Sequence, residues 1–207
     1  MIVLRVSQSM TSQDLSPSRL ERARAKLAML LSERGSAGTG LVAYNGSAHL
    51  VLPVTNDSDV VNHMLESLQP DVMPVEGDAL SEAISLAAAQ NERTGGGGSI
   101  LVVTDSARTV ESDRRVNQSV LFYAILRDAS ELAGSGISDA SKSLEASTQL
   151  LTADDADIRK ILAQADRSIV DVVSGDATKW RDDGYWFVIP LAICSLAWAR
   201  RGWSIET

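Results

Sequence analysis

The 207-residue chain contains a single cysteine, Cys194, so no internal disulfide bond can form. This fits a reducing compartment, or an exported protein that is stable without disulfides. Aromatic residues make up only 4% of the chain, and all four tryptophans lie at or after residue 180. This late cluster indicates that the C-terminal segment differs in kind from the rest of the chain.

Basic residues are scarce as well, because 27 acidic residues outnumber 19 lysines and arginines and give a net charge of −8. A general nucleic-acid surface is therefore not expected. The glycines at 95–98 lack the Lys-Ser/Thr of a phosphate-binding loop, and no G-x-S-x-G elbow is present. His49 and His63 have no second ligand four residues away, so we expect them to be structural. We expect no enzymatic activity. A hydrolase in which His49 approaches Ser7 is kept as the least favoured functional alternative.

The N-terminus lacks the charged segment and long apolar run of a signal peptide. Strand-like residues follow Met1 directly, so we expect the chain to be a truncation or a shortened reading frame. Its length suggests one domain with room for a tail or anchor.

Short apolar runs alternate with helical patterns along the chain. Asn45-Gly46 predicts a hairpin between strands at Gly40–Tyr44 and Ala48–Val54. Residues 127–150 are rich in Ser, Ala and Gly and are interpreted as a loop region. The pattern predicts an α/β domain around a mainly parallel sheet with one antiparallel edge strand. The other predicted strands are Ile2–Val6, Ser99–Thr104, Val120–Leu126 and Ser168–Val173. The predicted helices are Ser18 to about Ser32, residues 55–58 to Leu68 with Val60, Val61, Met64, Leu65 and Leu68 inward, Ala79–Gln90, and Asp154–Ala165.

Four oxygen-bearing side chains follow predicted strand ends or precede a helix: Ser7, Ser9, Asp78 and Asp105. Functional residues in such sheets collect beyond the carboxyl ends of the strands. Hydroxyls and carboxylates suit a hard divalent cation such as Mg²⁺. The alternative is that the serines cap loops and that Asp78 caps the helix from Ala79.

Arg5 lies within the first apolar strand, where a buried arginine requires partners unless its strand is an edge. In the segments RVSQSM, SPSRLERAR, GLVAYNGSAHLVLPVTND, PVEGDALSEAI and ILVVTDSA, the chain resembles the von Willebrand factor type A domain. It is most similar to the bacterial membrane-anchored Bat, or aerotolerance, branch. DDADIRKILAQ and the Trp-rich C-terminus also resemble that branch. The resemblance implies a Rossmann-like three-layer sandwich over residues 1–175, loop-rich at 106–150.

The family's metal-ion-dependent adhesion site has the pattern D-x-S-x-S, a Thr on a second loop and an Asp after a later strand. The resemblance maps Ser7, Ser9 and Asp105 onto it, but Arg5 replaces the leading Asp and Asp78 replaces the Thr. In one hypothesis, Arg5 pairs with the carboxylates and substitutes for the metal charge. In the other, a weakened site binds Mg²⁺ through Asp78 while Arg5 is turned away.

The C-terminal segment has no charged residue from Gly184 to Ala199. We predict a linker at 176–183 and a transmembrane helix at 184–203. Aromatic residues and a basic pair would anchor it, with Pro190 in its middle: Trp186, Trp198, Arg200 and Arg201. A buried core helix is the alternative. The basic pair predicts a cytoplasmic C-terminus, which would place the domain on the periplasmic side of a bacterial inner membrane.

The resemblance implies a membrane-anchored module that binds protein partners and acts with a MoxR-type AAA+ ATPase in envelope assembly or stress tolerance. A metal-independent structural subunit that assembles with an intact sister A domain is the second alternative. The expected cofactor is none or weakly bound Mg²⁺.

Overall fold

A computed structural model describes residues 1–35, 37–95, 98–108 and 118–165. Within these ranges the chain forms six strands: β1 Ile2–Arg5, β2 Thr39–Tyr44, β3 Ala48–Thr55, β4 Ile100–Thr104, β5 Val120–Ala124 and β6 Ser147–Leu150. They form one sheet in the order β3-β2-β1-β4-β5-β6. Neighbouring strands are parallel except β2 and β3, which are antiparallel. The predicted mainly parallel sheet with an antiparallel edge strand is confirmed.

Helices cover both faces of the sheet: α1 Arg19–Arg34, α2 Ser58–Ser67, α3 Leu80–Arg93, α4 Ile137–Ser143 and a helix at 156–165, here α5. Two apolar cores result, one containing residues of α1, α2 and α5 and the other residues of α3 and α4. Strand β1 supplies both, because Ile2 and Leu4 enter the first core and Val3 enters the second. Apolar burial on both sides explains why β1 reads as a continuous hydrophobic run.

Local signals explain where several elements begin. The Ser18 hydroxyl accepts a hydrogen bond from the Glu21 amide at 3.1 Å and caps α1 as predicted. Asp57 caps α2 by accepting from the amides of Asp59 and Val60. The sequence indicated Ser18 by its spacing to Glu21, whereas it offered four candidates at 55–58, of which the structure selects Asp57.

Two expectations from the sequence are wrong. Residues 127–150 are not simply a loop, because they contain α4 and β6. Ser-rich α4 and polar β6 have weak propensities, and packing against β5 decides their structure. Val60 does not point inward, since 39% of it is exposed. Its helix position faces solvent while Val61 and Leu65 occupy the core.

A buried ionic network fixes α5 to the rest of the domain. Asp157 lies 3.0 Å from Nζ of Lys26 on α1, and it accepts a 2.6 Å hydrogen bond from the Tyr123 hydroxyl on β5. It also accepts from the amides of Thr152 at 2.9 Å and Ile158 at 2.8 Å. The carboxylate therefore joins three parts of the described chain: α1, β5 and the segment at 152–158.

The predicted strand at 168–173, linker and transmembrane helix lie outside the described residues. In the ranges that the structure does describe, no helix is long and apolar enough to cross a membrane.

Candidate functional site

The candidate site lies where β1 and β4 end side by side. These strands are parallel neighbours, with Leu4 opposite Val103. The chain proceeds to β2 on one side of β1 and reaches β4 on the other, so this is the position in the sheet where the strand order reverses. Arg5 ends β1, and Asp105 directly follows β4. The fold therefore brings together two residues that are 100 positions apart.

Arg5 lies between two carboxylates. Its Nη1 is 3.7 Å from Oδ2 of Asp78, and its Nε is 3.8 Å from Oδ1 of Asp105. Both aspartate side chains are almost completely buried. The same Nη1 donates to the carbonyl of Ser106 at 2.5 Å and to its hydroxyl at 2.7 Å. Since β1 is a central strand, the charge of Arg5 is matched by partners and not exposed at an edge.

Asp78 is engaged on both oxygens. Oδ2 accepts a hydrogen bond from the Arg108 amide at 2.7 Å, and Oδ1 accepts from the Leu80 amide at 3.3 Å. The N-cap of α3 is Ala79, so Asp78 lies one residue before the cap and is not the N-cap that the sequence allowed. Asp78 thus links the start of α3 to the segment after β4, in addition to lying beside Arg5.

The Asn45-Gly46 turn holds the Asp78 loop in place. The Gly46 amide donates to the Val75 carbonyl at 2.9 Å, and the Ala79 amide donates to the Asn45 carbonyl at 2.7 Å. A Cβ on Gly46 would lie 2.4 Å from the carbonyl oxygen of Glu76. The glycine is therefore required by this close approach.

Arg19 is the site residue that the sequence did not reveal. Its Nε lies 2.9 Å and 3.1 Å from the two oxygens of Asp14, and its Nη2 lies 3.1 Å from Glu131. Its Nη1 is 3.7 Å from Oδ2 of Asp105. The hydrogen bonds from Arg19 hold the pKa of Asp14 well below its usual range. Asp105 therefore has a guanidinium near each oxygen, Arg5 on one side and Arg19 on the other.

The two serines contact each other. The hydroxyls of Ser7 and Ser9 lie 2.8 Å apart. Within the described part of the chain, neither makes a hydrogen bond to Asp78 or Asp105. Among the described residues, ion pairs therefore link Arg5 to Asp78 and Asp105, and a hydrogen bond links Ser7 to Ser9. His49 is bonded to Ser47 at 2.8 Å, and no hydrogen bond connects it to Ser7 among the described residues.

The donor set at this edge does not suit a divalent cation. Asp78 already accepts two amides, and Asp105 faces two guanidinium groups that would repel a metal. Across the described ranges, no group of three or more His, Cys, Asp or Glu side chains is arranged to hold a metal ion. Nε of Arg5 and Oδ1 of Asp105 are both buried without a hydrogen-bond partner in that part of the chain. Their 3.8 Å separation is suitable for an ion pair but too long for a hydrogen bond.

The residues of the membrane anchor predicted from the sequence are not among those that the structure describes: Trp186, Pro190, Trp198, Arg200 and Arg201.

Comparison with known proteins identifies the fold and its relatives. The profile of the von Willebrand factor type A domain matches residues 1–107. A UPF0353 protein of Mycolicibacterium paratuberculosis is 29% identical over 130 residues, which is 60% of this chain and 39% of that protein. A UPF0353 protein of Mycobacterium bovis is 31% identical over 98 residues, 47% of this chain and 29% of that protein. The chain thus spans well under half the length of these curated relatives.

Two solved structures are similar over most of the chain. The conserved hypothetical protein BatB of Bacteroides thetaiotaomicron has 25% identity and a TM-score of 0.67, covering 77% of this chain and 93% of that one. An aerotolerance-related membrane protein of Bacteroides fragilis has 23% identity and a TM-score of 0.65, covering 83% and 98%. Together with the profile match, these similarities confirm the resemblance to Bat-like A domains that the sequence motifs indicated.

Proposed function

The chain belongs to the von Willebrand factor type A domain family, and we propose that it is a protein-binding module that works without a divalent cation. The position of Arg5 carries this proposal. Its guanidinium lies where it can balance Asp78 and Asp105 and is hydrogen-bonded to Ser106. A fixed protein charge thus replaces the charge that a metal would supply. No catalytic step is assigned to the module.

Of the two alternatives that the sequence left open, the geometry favours the metal-independent one. A weakened metal site would need Arg5 turned away and Asp78 free to coordinate. Arg5 instead donates to both oxygens of Ser106, and Asp78 accepts the amides of Arg108 and Leu80. Moving either residue would leave buried polar groups unpaired, at a cost of about 1–3 kcal/mol for each group.

The module's setting is proposed from its relatives and its C-terminal sequence. A similar structure is described as a membrane protein, and the uncharged run from Gly184 to Ala199 is suited to an anchor. We place the domain at a bacterial inner membrane, on its periplasmic side by the Arg200-Arg201 pair. The partner classes proposed from the family resemblance are a MoxR-type AAA+ ATPase and a sister A domain with an intact metal site, in envelope assembly or stress tolerance.

Capture experiments test this proposal. The full chain is immobilised and exposed to detergent-solubilised bacterial membranes, in Mg²⁺ or in chelator. We expect the same partners in equal amounts under both conditions, with capture reduced by Arg5→Asp. Arg159→Asp is the matched control, because Arg159 is exposed on α5 and, among the described residues, makes no ion pair with the carboxylates that Arg5 and Arg19 contact. Capture that disappears in chelator would support the metal-dependent alternative instead.

A further inference from the structure

The net negative charge of this protein comes from one segment of the chain. Residues 35–92 contain no lysine or arginine but eight acidic residues, so this segment alone carries a charge of −8. The rest of the chain has 19 basic and 19 acidic residues and is neutral. The segment builds β2, β3, α2 and α3, so the asymmetry in sequence becomes an asymmetry of the surface.

Five of these acids lie on α2, its cap and the loop at 69–77, and all five are exposed: Asp57, Asp59, Glu66, Asp71 and Glu76. Among the described residues, no lysine or arginine lies within 4.0 Å of their carboxylates. Elsewhere most described acids have such a partner, including Asp14, Glu21, Asp105 and Asp157. The unpaired carboxylates give this surface a negative potential that is available to a partner.

Exposed apolar side chains occur on the same elements. Within the described ranges, the large hydrophobic residues that are exposed are Val60 at 39%, Val72 at 58% and Val75 at 52%. Val60 lies on α2, and Val72 and Val75 lie in the loop that follows. Val72 directly follows Asp71 and Val75 directly precedes Glu76, so this loop presents apolar and acidic side chains side by side.

A groove between α1 and α2 is lined in part by one of the exposed acids, Glu66. It has a volume of about 330 Å³, and its lining includes Arg24, Ala25, Asn62 and Glu66. Arg24 is only 8% exposed, and although it contacts Glu21 and the carbonyl of Leu68, its Nε has no hydrogen-bond partner among the described residues. Oδ1 of Asn62 is also buried and unpartnered there. Both atoms are closed off from solvent, so the groove surface that a partner can reach is formed by the other lining residues, including Ala25, Leu65 and the exposed Glu66.

We propose that this groove and the loop at 69–77 that follows α2 form a docking surface for a basic, partly apolar segment of a protein partner. That segment would lie along the groove against Ala25 and Leu65. Its lysines or arginines would meet Glu66 and Asp71, and its apolar side chains would cover Val72. Nucleic acid, anionic lipid and a second copy of this surface would each bring negative charge against negative charge. No residue of this docking surface belongs to the cluster of Arg5, Asp78 and Asp105, here called the Arg5 cluster. The docking surface is therefore distinct from the site on which the proposed function rests.

Fluorescence anisotropy with a defined probe tests the surface. The probe is a labelled twelve-residue peptide of alternating lysine and leucine, titrated with the full chain. We expect Glu66→Lys with Asp71→Lys to weaken binding at least tenfold. Glu33→Lys with Asp139→Lys changes the net charge equally at exposed sites elsewhere and should weaken it less than twofold. Equal losses in the two double variants would show attraction by net charge alone and overturn the proposal.

The groove has its own test. Ala25→Leu adds volume inside the groove from an exposed position of α1, so the fold is retained and probe binding should fall about fivefold. Ala89→Leu makes the same change on the exposed side of α3 and should have no effect. If Ala25→Leu binds the probe as tightly as the parent, the groove is not the docking site. Because every Arg5-cluster residue is unchanged, that failure would leave the proposed function untouched.

Discussion

Arg5 and Ser106 join the ends of two parallel strands, with Nη1 of Arg5 lying 2.5 Å from the Ser106 carbonyl and 2.7 Å from its hydroxyl. The two residues are 101 positions apart in sequence. Their contact places a guanidinium between Asp78 and Asp105 and makes the end of β1 and the segment after β4 one structural unit. Four predictions about this unit and its surroundings follow from the contacts.

Replacing Arg5 with alanine should destabilise the domain by about 3 kcal/mol, because buried Asp78 would lose its balancing charge and buried Asp105 would lose one of its two. Urea unfolding measures the change. Arg5→Lys should lose less, since it keeps the charge but not the paired contact with Ser106. Arg127→Ala removes an exposed arginine and should change the stability by less than about 0.5 kcal/mol. A fully stable Arg5→Ala variant would mean that the charges at this edge are not coupled.

Exchanging Arg5→Asp together with Asp78→Thr should create Mg²⁺ binding, because it removes one of the two guanidinium groups that face Asp105 and restores the family's residue types. Calorimetric titration with Mg²⁺ should give no binding heat for the parent and a saturable signal for the double variant. If the parent itself binds at micromolar concentration and Asp105→Ala abolishes that binding, the metal-free account is wrong.

Asp157→Asn should destabilise the domain by about 3 kcal/mol at neutral pH, since it disrupts a buried ion pair with Lys26. Although burial raises the pKa of Asp157, hydrogen bonds from Tyr123, the Thr152 amide and Lys26 hold it below the usual value. A carboxyl with a lowered folded-state pKa stabilises the protein above its unfolded-state pKa of about 3.9 and loses that contribution as pH falls through the folded-state pKa.

The stability difference between parent and Asp157→Asn should therefore be constant from pH 7 to about pH 5 and shrink below about pH 4. Urea unfolding across this range measures it. Asp139→Asn, at an exposed site, provides the matched control and should show little difference at any pH. A difference that grows on acidification would contradict the assigned direction of the pKa shift.

Gly136→Ala should destabilise the domain by about 1–3 kcal/mol. Gly136 has φ +74°, and an added Cβ would lie 2.0 Å from the carbonyl oxygen of Ala107, in the segment that follows Asp105. Gly134→Ala is the control two residues away, because its Cβ would make only an ordinary contact at 3.9 Å. Thermal unfolding of the two variants should separate clearly, and equal midpoints would show that the 105–108 segment adapts freely.

Much of the fold was readable from short-range signals. The apolar β-branched run of β1, the Asn45-Gly46 turn and the Ser18 cap each act within a few residues, so their outcome hardly depends on distant parts of the chain. The region at 127–150 was not readable in this way. Its Ser- and Thr-rich β6 carries a weak strand signal, and pairing with β5 supplies the backbone partners that make it a strand.

The residues of the candidate site also divide into those that local sequence signals identified and those that only long-range contacts revealed. Arg5 was identifiable because an arginine within an apolar strand requires partners, and Asp105 because it follows a strand of the same type. Arg19 could not be identified, since Asp105 and Glu131 are far from it in sequence, and only Asp14 is near. The serine pair was placed with the carboxylates by motif, whereas the structure gives each serine the other as its partner.

The sequence by itself determined that a positive charge would end the first buried strand and that carboxylates would follow later elements, because burial and strand patterns are local properties. Only the tertiary structure decided which carboxylates meet that charge. Parallel strands place β1 beside β4 across about 100 residues, and neighbours at that separation are set by the packing of the whole sheet. The same packing brought Arg19 to Asp105 and left a groove beside an acidic, partly apolar surface.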